Sequence, residues 1–211
     1  MSGKAAVGTV CRIFVFFNIG NFRMYNRMYG TADGDRILQE LGKILRRMFG
    51  RGPAARITGG QFVLLTQDVA LEVMIPRLQR SFQALEPRTR MVLKVGIYET
   101  APEDEDVLQL VNRAKMACES IQGTYDCDVA WFMPALERER NFNDYLVSHF
   151  QSALAQGRFH IVYQPLVRLS AGMVSSFEAL VRWNDPCYGL LKAGLFVPVL
   201  ERARRRQVSV I

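Results

Sequence analysis

Few side chains in this 211-residue sequence are of the types that do chemistry, and their spacing limits which chemistry is open. Cys11, Cys118, Cys127 and Cys187 stand singly without a CxxC pair, and His149 and His160 are neither at HExxH spacing nor beside a cysteine pair. That pattern predicts neither a zinc site nor a disulfide framework, and the thiols read as small buried hydrophobes. Oxygen and amide groups are more concentrated. Asn18, Asn21, Asn26, Asp33 and Asp35 follow an apolar run, Thr58-Gly59-Gly60-Gln61 separates two short apolar segments, and Gln164, Glu178 and Arg182 lie in later segments rich in β-branched and aromatic residues. Hard cations such as Mg²⁺ are held by carboxylate oxygens, so these acids and the amides beside them are the groups to place.

The positioning elements follow from apolar spacing. Residues 11–17 (CRIFVFF) are a continuous run that reads as a buried strand, broken by residues 18–21. Residues 22–29 suit a short helix. After Gly30, the residues Ile37, Leu38, Leu41, Ile44, Leu45 and Met48 recur at helical spacing, with Asp33 and Asp35 at the positive end of that helix. Residues 54–65 read as a β-hairpin around Thr58, Gly59 and Gly60. Residues 68–85 read as a helix that Pro76 must kink or restart, 91–98 as a strand, 104–120 as an amphipathic helix and 129–132 as a last short strand. The order βααββαβαβ predicts an α+β domain, a sheet with antiparallel pairs covered by helices. Residues 134–156 form a charged amphipathic helix with Pro134 at its start and Gly157 past its end. Two strands, 159–169 and 173–183, and a helix, 194–206, complete the reading.

Composition bounds the rest. With 49% hydrophobic and 22% charged residues the sequence is that of an ordinary soluble globular protein, and the apolar run near its start is too short to span a bilayer. A cytoplasmic location is the expectation. The net charge of +7 raises nucleic acid as a partner, but Arg202, Arg204, Arg205 and Arg206 supply four of those charges, and a terminal arginine run reads as a solvated helix end.

The first constellation resembles the GGDEF family, the diguanylate cyclases. Residues 18–27 (NIGNFRMYNR), continued without a gap by 28–35 (MYGTADGD), are similar to the family's DxDxFKxxND and xxGHxxGD. Residues 56–62 (RITGGQF) are similar to RxGGDEF, and Lys94-Val95-Gly96 to SxG; the likeness covers about residues 11–132. The resemblance implies condensation of two GTP molecules on Mg²⁺, held by carboxylates at positions that here are Asn18 and Gly60, with Gln61 neutral as well. Residues 115–126 resemble the later phosphate-holding motif, whose Lys and Arg positions are Gln122 and Asp126, and Phe49 and Gly52 stand where an inhibitory RxxD would be. The family's guanine contacts fall on Asn26 and Asp35. A carboxylate can accept from guanine N1 and N2 while an amide serves a complementary edge atom. Asn26 as a helix-surface residue and Asp35 as an acid complementing the helix dipole is the competing reading.

The second constellation resembles the opening of an EAL phosphodiesterase domain. Residues 159–167 (FHIVYQPLV), 177–183 (FEALVRW), Asp185-Pro186, Gly189 and 196–201 (FVPVLE) follow that family's order and spacing. This implies hydrolysis of cyclic di-GMP by two metal ions in an α/β barrel, with Glu178 as a metal carboxylate and Gln164 and Arg182 as ligand contacts. The remaining ligands and the catalytic Lys would lie beyond Ile211, and a barrel needs about 250 residues, so only its first strands are expected here. Glu178 then reads as the remnant of a metal site or as a plain strand residue.

The combined expectation is a degenerate GGDEF-like domain over residues 1–133, a linker helix over 134–157, and an incomplete EAL α/β-barrel fragment over 158–211. Such a chain would be a noncatalytic remnant or regulatory fragment of a bacterial cyclic di-GMP signalling protein. No cofactor is expected, where intact family enzymes use Mg or Mn; the expected partners are a guanine nucleotide (GTP, GDP or cyclic di-GMP), a second copy or another protein. The alternatives are the amino part of a longer, active cyclic di-GMP phosphodiesterase and a basic nucleic-acid binder.

Overall fold

The computed structural model describes residues 12–50, 52–67, 70–87, 89, 91–122, 128–170 and 172–208. Two compact units, Met1–Glu137 and Arg138–Ile211, are distinguished. Cys11, Cys127 and Asp126 fall outside the described residues.

In the first unit the elements are β1 (Ile13–Ile19), α1 (Phe22–Tyr29), α2 (Thr31–Phe49), β2 (Ala54–Thr58), β3 (Gln61–Thr66), α3 (Leu71–Gln83), β4 (Leu93–Glu99), α4 (Val107–Ser120) and β5 (Val129–Trp131). The sheet order is β2-β3-β1-β4-β5, antiparallel throughout except for the parallel β4–β5 pair. This is the α+β architecture that the element order implies. β1 is central and covered on both faces, which is why it reads as a continuous apolar run and not as an alternating one. Ile13, Val15, Phe17 and Ile19 enter one core with Ile37, Leu41 and Leu45 of α2 and Ile75, Leu78 and Phe82 of α3. Phe14 and Phe16 face the other way, onto Leu110, Ala114 and Cys118 of α4. Each such side chain contributes about 1.5 to 3 kcal/mol on burial.

Two local expectations are corrected here. α3 runs unbroken through Pro76. The proline forgoes one helical hydrogen bond, and burial of Leu71, Ile75, Leu78 and Phe82 along one face holds the helix together regardless. Asp104, placed inside a helix by the sequence, instead precedes α4, which Asp106 caps by accepting from the Leu108 amide at 2.9 Å. Asp104 accepts from the Tyr98 hydroxyl (2.6 Å), the Ala101 amide (2.8 Å) and Arg113 Nη1 (2.8 Å). Burial pushes its carboxyl up, but these donors outweigh burial and hold it below the usual range.

The cysteines divide. Cys118 is the expected buried hydrophobe, its thiol pushed up to about 12 by burial, whereas Cys187 is exposed because it lies in a surface turn.

α5 (Pro134–Ala155) continues into the second unit, followed by β6 (Phe159–Arg168), β7 (Met173–Asp185), β8 (Gly189–Lys192) and α6 (Ala193–Val208). Three strands, ordered β6-β7-β8 and antiparallel, replace the two expected. β8 escapes a sequence reading because it is four residues long and follows a turn in which Asp185 accepts from the amides of Cys187 (2.9 Å) and Tyr188 (3.0 Å). Leu146, Ala153, Trp183, Leu191, Phe196 and Val199 form a small separate core. No helix among the described residues is long and apolar enough to cross a membrane.

α4 approaches β4 most closely at Gly96, where a Cβ would stand 2.0 Å from the Ala114 carbonyl oxygen and 2.3 Å from the Cys118 amide nitrogen. Both atoms are backbone and cannot rotate away. Gly96→Ala is therefore expected to force α4 off the sheet and destabilise the first unit by about 3 kcal/mol, the upper part of the overpacking range. Urea unfolding checks this, and an unchanged midpoint would contradict the close packing.

Candidate functional site

The site is built where β1 ends. Asn21 adopts φ 59°, a left-handed conformation that asparagine tolerates, and turns the chain from β1 into α1. The Gly20 amide donates to the Val92 carbonyl at 2.8 Å, and the Ile19 amide to the Gly60 carbonyl at 3.0 Å, so the β2–β3 turn folds back onto the end of β1. A Cβ on Gly60 would lie 3.0 Å from the Ile19 Cβ and 3.3 Å from the Phe22 Cβ. Asn18 pairs across the sheet with Gln61 of β3 and with Lys94 of β4. The three side chains share the face that α4 covers further along, and Lys94 reaches Asp128 with its ammonium at 2.8 Å.

Asn26 and Asp35 come from α1 and α2. The Asn26 Oδ1 is buried without a hydrogen-bond partner, and a Cβ on Gly34 would lie 1.9 Å from it. The fold thus sets Asn26 against the turn of α2 that carries Asp35, which is exposed. A second contact fixes the two helices. The Tyr25 hydroxyl donates to Asp33 and to Glu86 Oε2 (2.9 Å), sharing its single proton, while Arg36 binds Asp33 (2.9 Å) and Glu86 (3.4 Å). Burial, and then the two carboxylates, raise the Tyr25 hydroxyl well above its usual value.

The model of the diguanylate cyclase GGDEF domain matches residues 4–124, more than half of the sequence. The chain belongs to the GGDEF family. The EAL domain model matches residues 148–207. The cyclic di-GMP phosphodiesterase NbdA of Pseudomonas aeruginosa is 26% identical over 195 residues, covering 89% of this chain and 25% of that protein. The bifunctional diguanylate cyclase/cyclic di-GMP phosphodiesterase MucR of the same organism is 25% identical over 196 residues, 89% of this chain and 29% of that one. This chain therefore spans between a quarter and a third of the length of these two relatives. The S helix-GGDEF-EAL structure of Vibrio cholerae LapD, bound to c-di-GMP, shares the fold over 95% of this chain and 49% of its own, with a TM-score of 0.56 at 13% identity.

Both GGDEF and EAL domains normally use divalent metals, and the residues at the end of β1 do not fit one. Asn18 offers a neutral amide, Gly60 no side chain, and Lys94 a positive charge. Among the described residues no three His, Cys, Asp or Glu side chains gather in a metal-binding group. In the EAL part, Gln164 and Glu178 are paired directly across β6 and β7, and Arg182 lies four residues further along β7 on the same face, opposite His160. That face is the reverse of the one whose Phe159, Val181 and Trp183 join the small core. Glu178 is its single carboxylate from β6 and β7. The Tyr25–Glu86 contact and the Lys94–Asp128 pair were missed by sequence reasoning, since partners so far apart in the chain carry no local signal.

The GD pair at 34 and 35 in this GGDEF sequence acquires a spatial reason: only glycine at 34 leaves space for the Asn26 amide. Gly34→Ala is expected to displace that amide. Stability should change by less than about 1 kcal/mol, because alanine is the better helix former. Side-chain amide NMR checks this. An unmoved Asn26 resonance in a folded variant would refute the contact.

Proposed function

We propose that this chain is a noncatalytic, regulatory part of a cyclic di-GMP signalling protein, and that it senses guanine nucleotide through Asn26 and Asp35. The observation that carries the reading is the ligand set at the end of β1, where Asn18 brings no charge and Gly60, close against Ile19 and Phe22, brings no side chain. Condensation of GTP and two-metal hydrolysis both need several anionic ligands around the ion. Neither face offers them. The family and fold support the signalling context, and the placing of Asn26 beside the helix turn that bears the exposed Asp35 supports a base-edge site.

The purified chain is expected to turn over neither GTP nor cyclic di-GMP in Mg²⁺ or Mn²⁺, and product above a buffer control would overturn the reading. Guanine-nucleotide binding should fall at least about tenfold in Asn26→Ala with Asp35→Ala, as expected for loss of charge-assisted hydrogen bonds. Binding that survives both changes would place the nucleotide elsewhere. A second reading, part of a longer active phosphodiesterase, is favoured by the likeness to NbdA, a cyclic di-GMP phosphodiesterase of which this chain spans 25%. The intact mass of the native protein separates the two.

Self-association follows from the second unit. Ile161, Tyr163, Leu166, Val167, Phe177 and Leu169 are exposed, Leu169 at 97%, and β6 has an unpaired edge within its sheet. Exposed apolar strands with free edges pair with whatever strand is available, here a second copy. Light scattering is expected to find dimers or larger species for the full chain and a more monomeric species when the chain ends at Gln156. A strictly monomeric 211-residue chain, with residues 159–208 resistant to proteolysis, would show that the unit needs no partner.

A further inference from the structure

Lys94 stands at the centre of the polar row that closes the end of β1. It lies on β4 directly across from Asn18, with Gln61 on the far side of Asn18 and Asp128 at the start of β5 on its own other side. Its side chain is only 10% exposed, and an ammonium so placed is costly unless it is paired. Here the pairing is strong. The Asp128 Oδ1 lies 2.8 Å from Nζ, and the adjacent backbone is fixed because the Val95 amide donates to the Asp128 carbonyl at 2.8 Å. The last turn of α4 is also near, since Gly96, two residues along β4, lies against the backbone of Ala114 and Cys118. A helix carboxyl end favours a cation.

We propose that Lys94 is a built-in cation that replaces a divalent ion at this end of the sheet, so that the site excludes metal and any guanine nucleotide held by Asn26 and Asp35 is held without Mg²⁺. The nucleotide clause rests on the function proposed above; the metal clause does not. A positive charge on a side chain only 10% exposed, one strand away from Asn18, opposes a second cation there. The carboxylate of Asp128, which could otherwise serve as a metal ligand, is already committed to Nζ. With amides at Asn18 and Gln61 and the Asp128 carboxylate engaged by Lys94, these residues leave no free anionic ligand for a metal.

Mn²⁺ alone is the probe, so the outcome is independent of nucleotide binding. Electron paramagnetic resonance is expected to find no stoichiometric Mn²⁺ on the full chain, and none on Asp128→Asn, which leaves the Lys94 charge in place. Lys94→Ser combined with Asn18→Asp is expected to gain Mn²⁺ affinity at least about tenfold, as one freed and one introduced carboxylate would confer. Lys94→Arg combined with Asn18→Asp keeps the cation and should stay metal-free. Stoichiometric Mn²⁺ on the wild-type chain, lost in Asp128→Asn, overturns the proposal. So does an unchanged Mn²⁺ affinity in the folded Lys94→Ser, Asn18→Asp variant. Should that variant fail to fold, the wild-type measurement still decides.

Discussion

The double burial of β1 is the constraint on which the first unit depends. Its seven residues are hydrogen-bonded to β3 on one side and β4 on the other, and its side chains alternate between two cores. No residue of Ile13–Phe17 can turn polar without leaving an unpaired group inside. The strand therefore delivers its first polar side chain, Asn18, only where the covering helices give out. The turn at Asn21 and the return of the β2–β3 hairpin onto Ile19 follow from the same geometry. The site is the rim of the core.

Close backbone approach sets the rest of the positioning. α4 can cover β1 and β4 because Gly96 lets its backbone touch the sheet, and α1 can lie against α2 because Gly34 leaves room for Asn26. In both places the glycine acts through the space it leaves, not through an unusual backbone angle. The Tyr25, Asp33, Glu86 and Arg36 cluster then ties the α1–α2 pair to the segment after α3, with a nearly fully buried carboxylate that is kept satisfied by a hydroxyl and a guanidinium.

Periodicity made much of this legible in the sequence. The run at β1, the helical spacing from Ile37 to Met48 and the glycine turn of the β2–β3 hairpin each correspond to an observed element. Pro76 misled because propensity is a local quantity and the buried face of α3 is not. β8 was illegible because four residues carry no period, and its register is set by an aspartate-capped turn. The candidate positions Asn18, Asn26, Asp35 and Gly60 were found by alignment of short motifs, which gives place without geometry. Lys94 was visible as a residue but not as a charge in the row, since its partner Asp128 lies just before the next strand, 34 positions along the chain.

The polar row also bears on why this fold can persist with changed chemistry. A cluster of metal-binding carboxylates repels itself whenever the ion is absent, and ligand sets of this kind are held at the expense of stability. Asn18 and Gly60 sit at a strand end and a turn, outside both cores of the unit, so changing them removes that repulsion without opening a cavity. Lys94 and Asp128 then compensate one another within the structure. The β1 core and the α4 contact at Gly96 are indifferent to which ligands the rim carries. The packing that holds the β1 architecture is thus carried by other residues than those at the end of β1, which do not suit a cation.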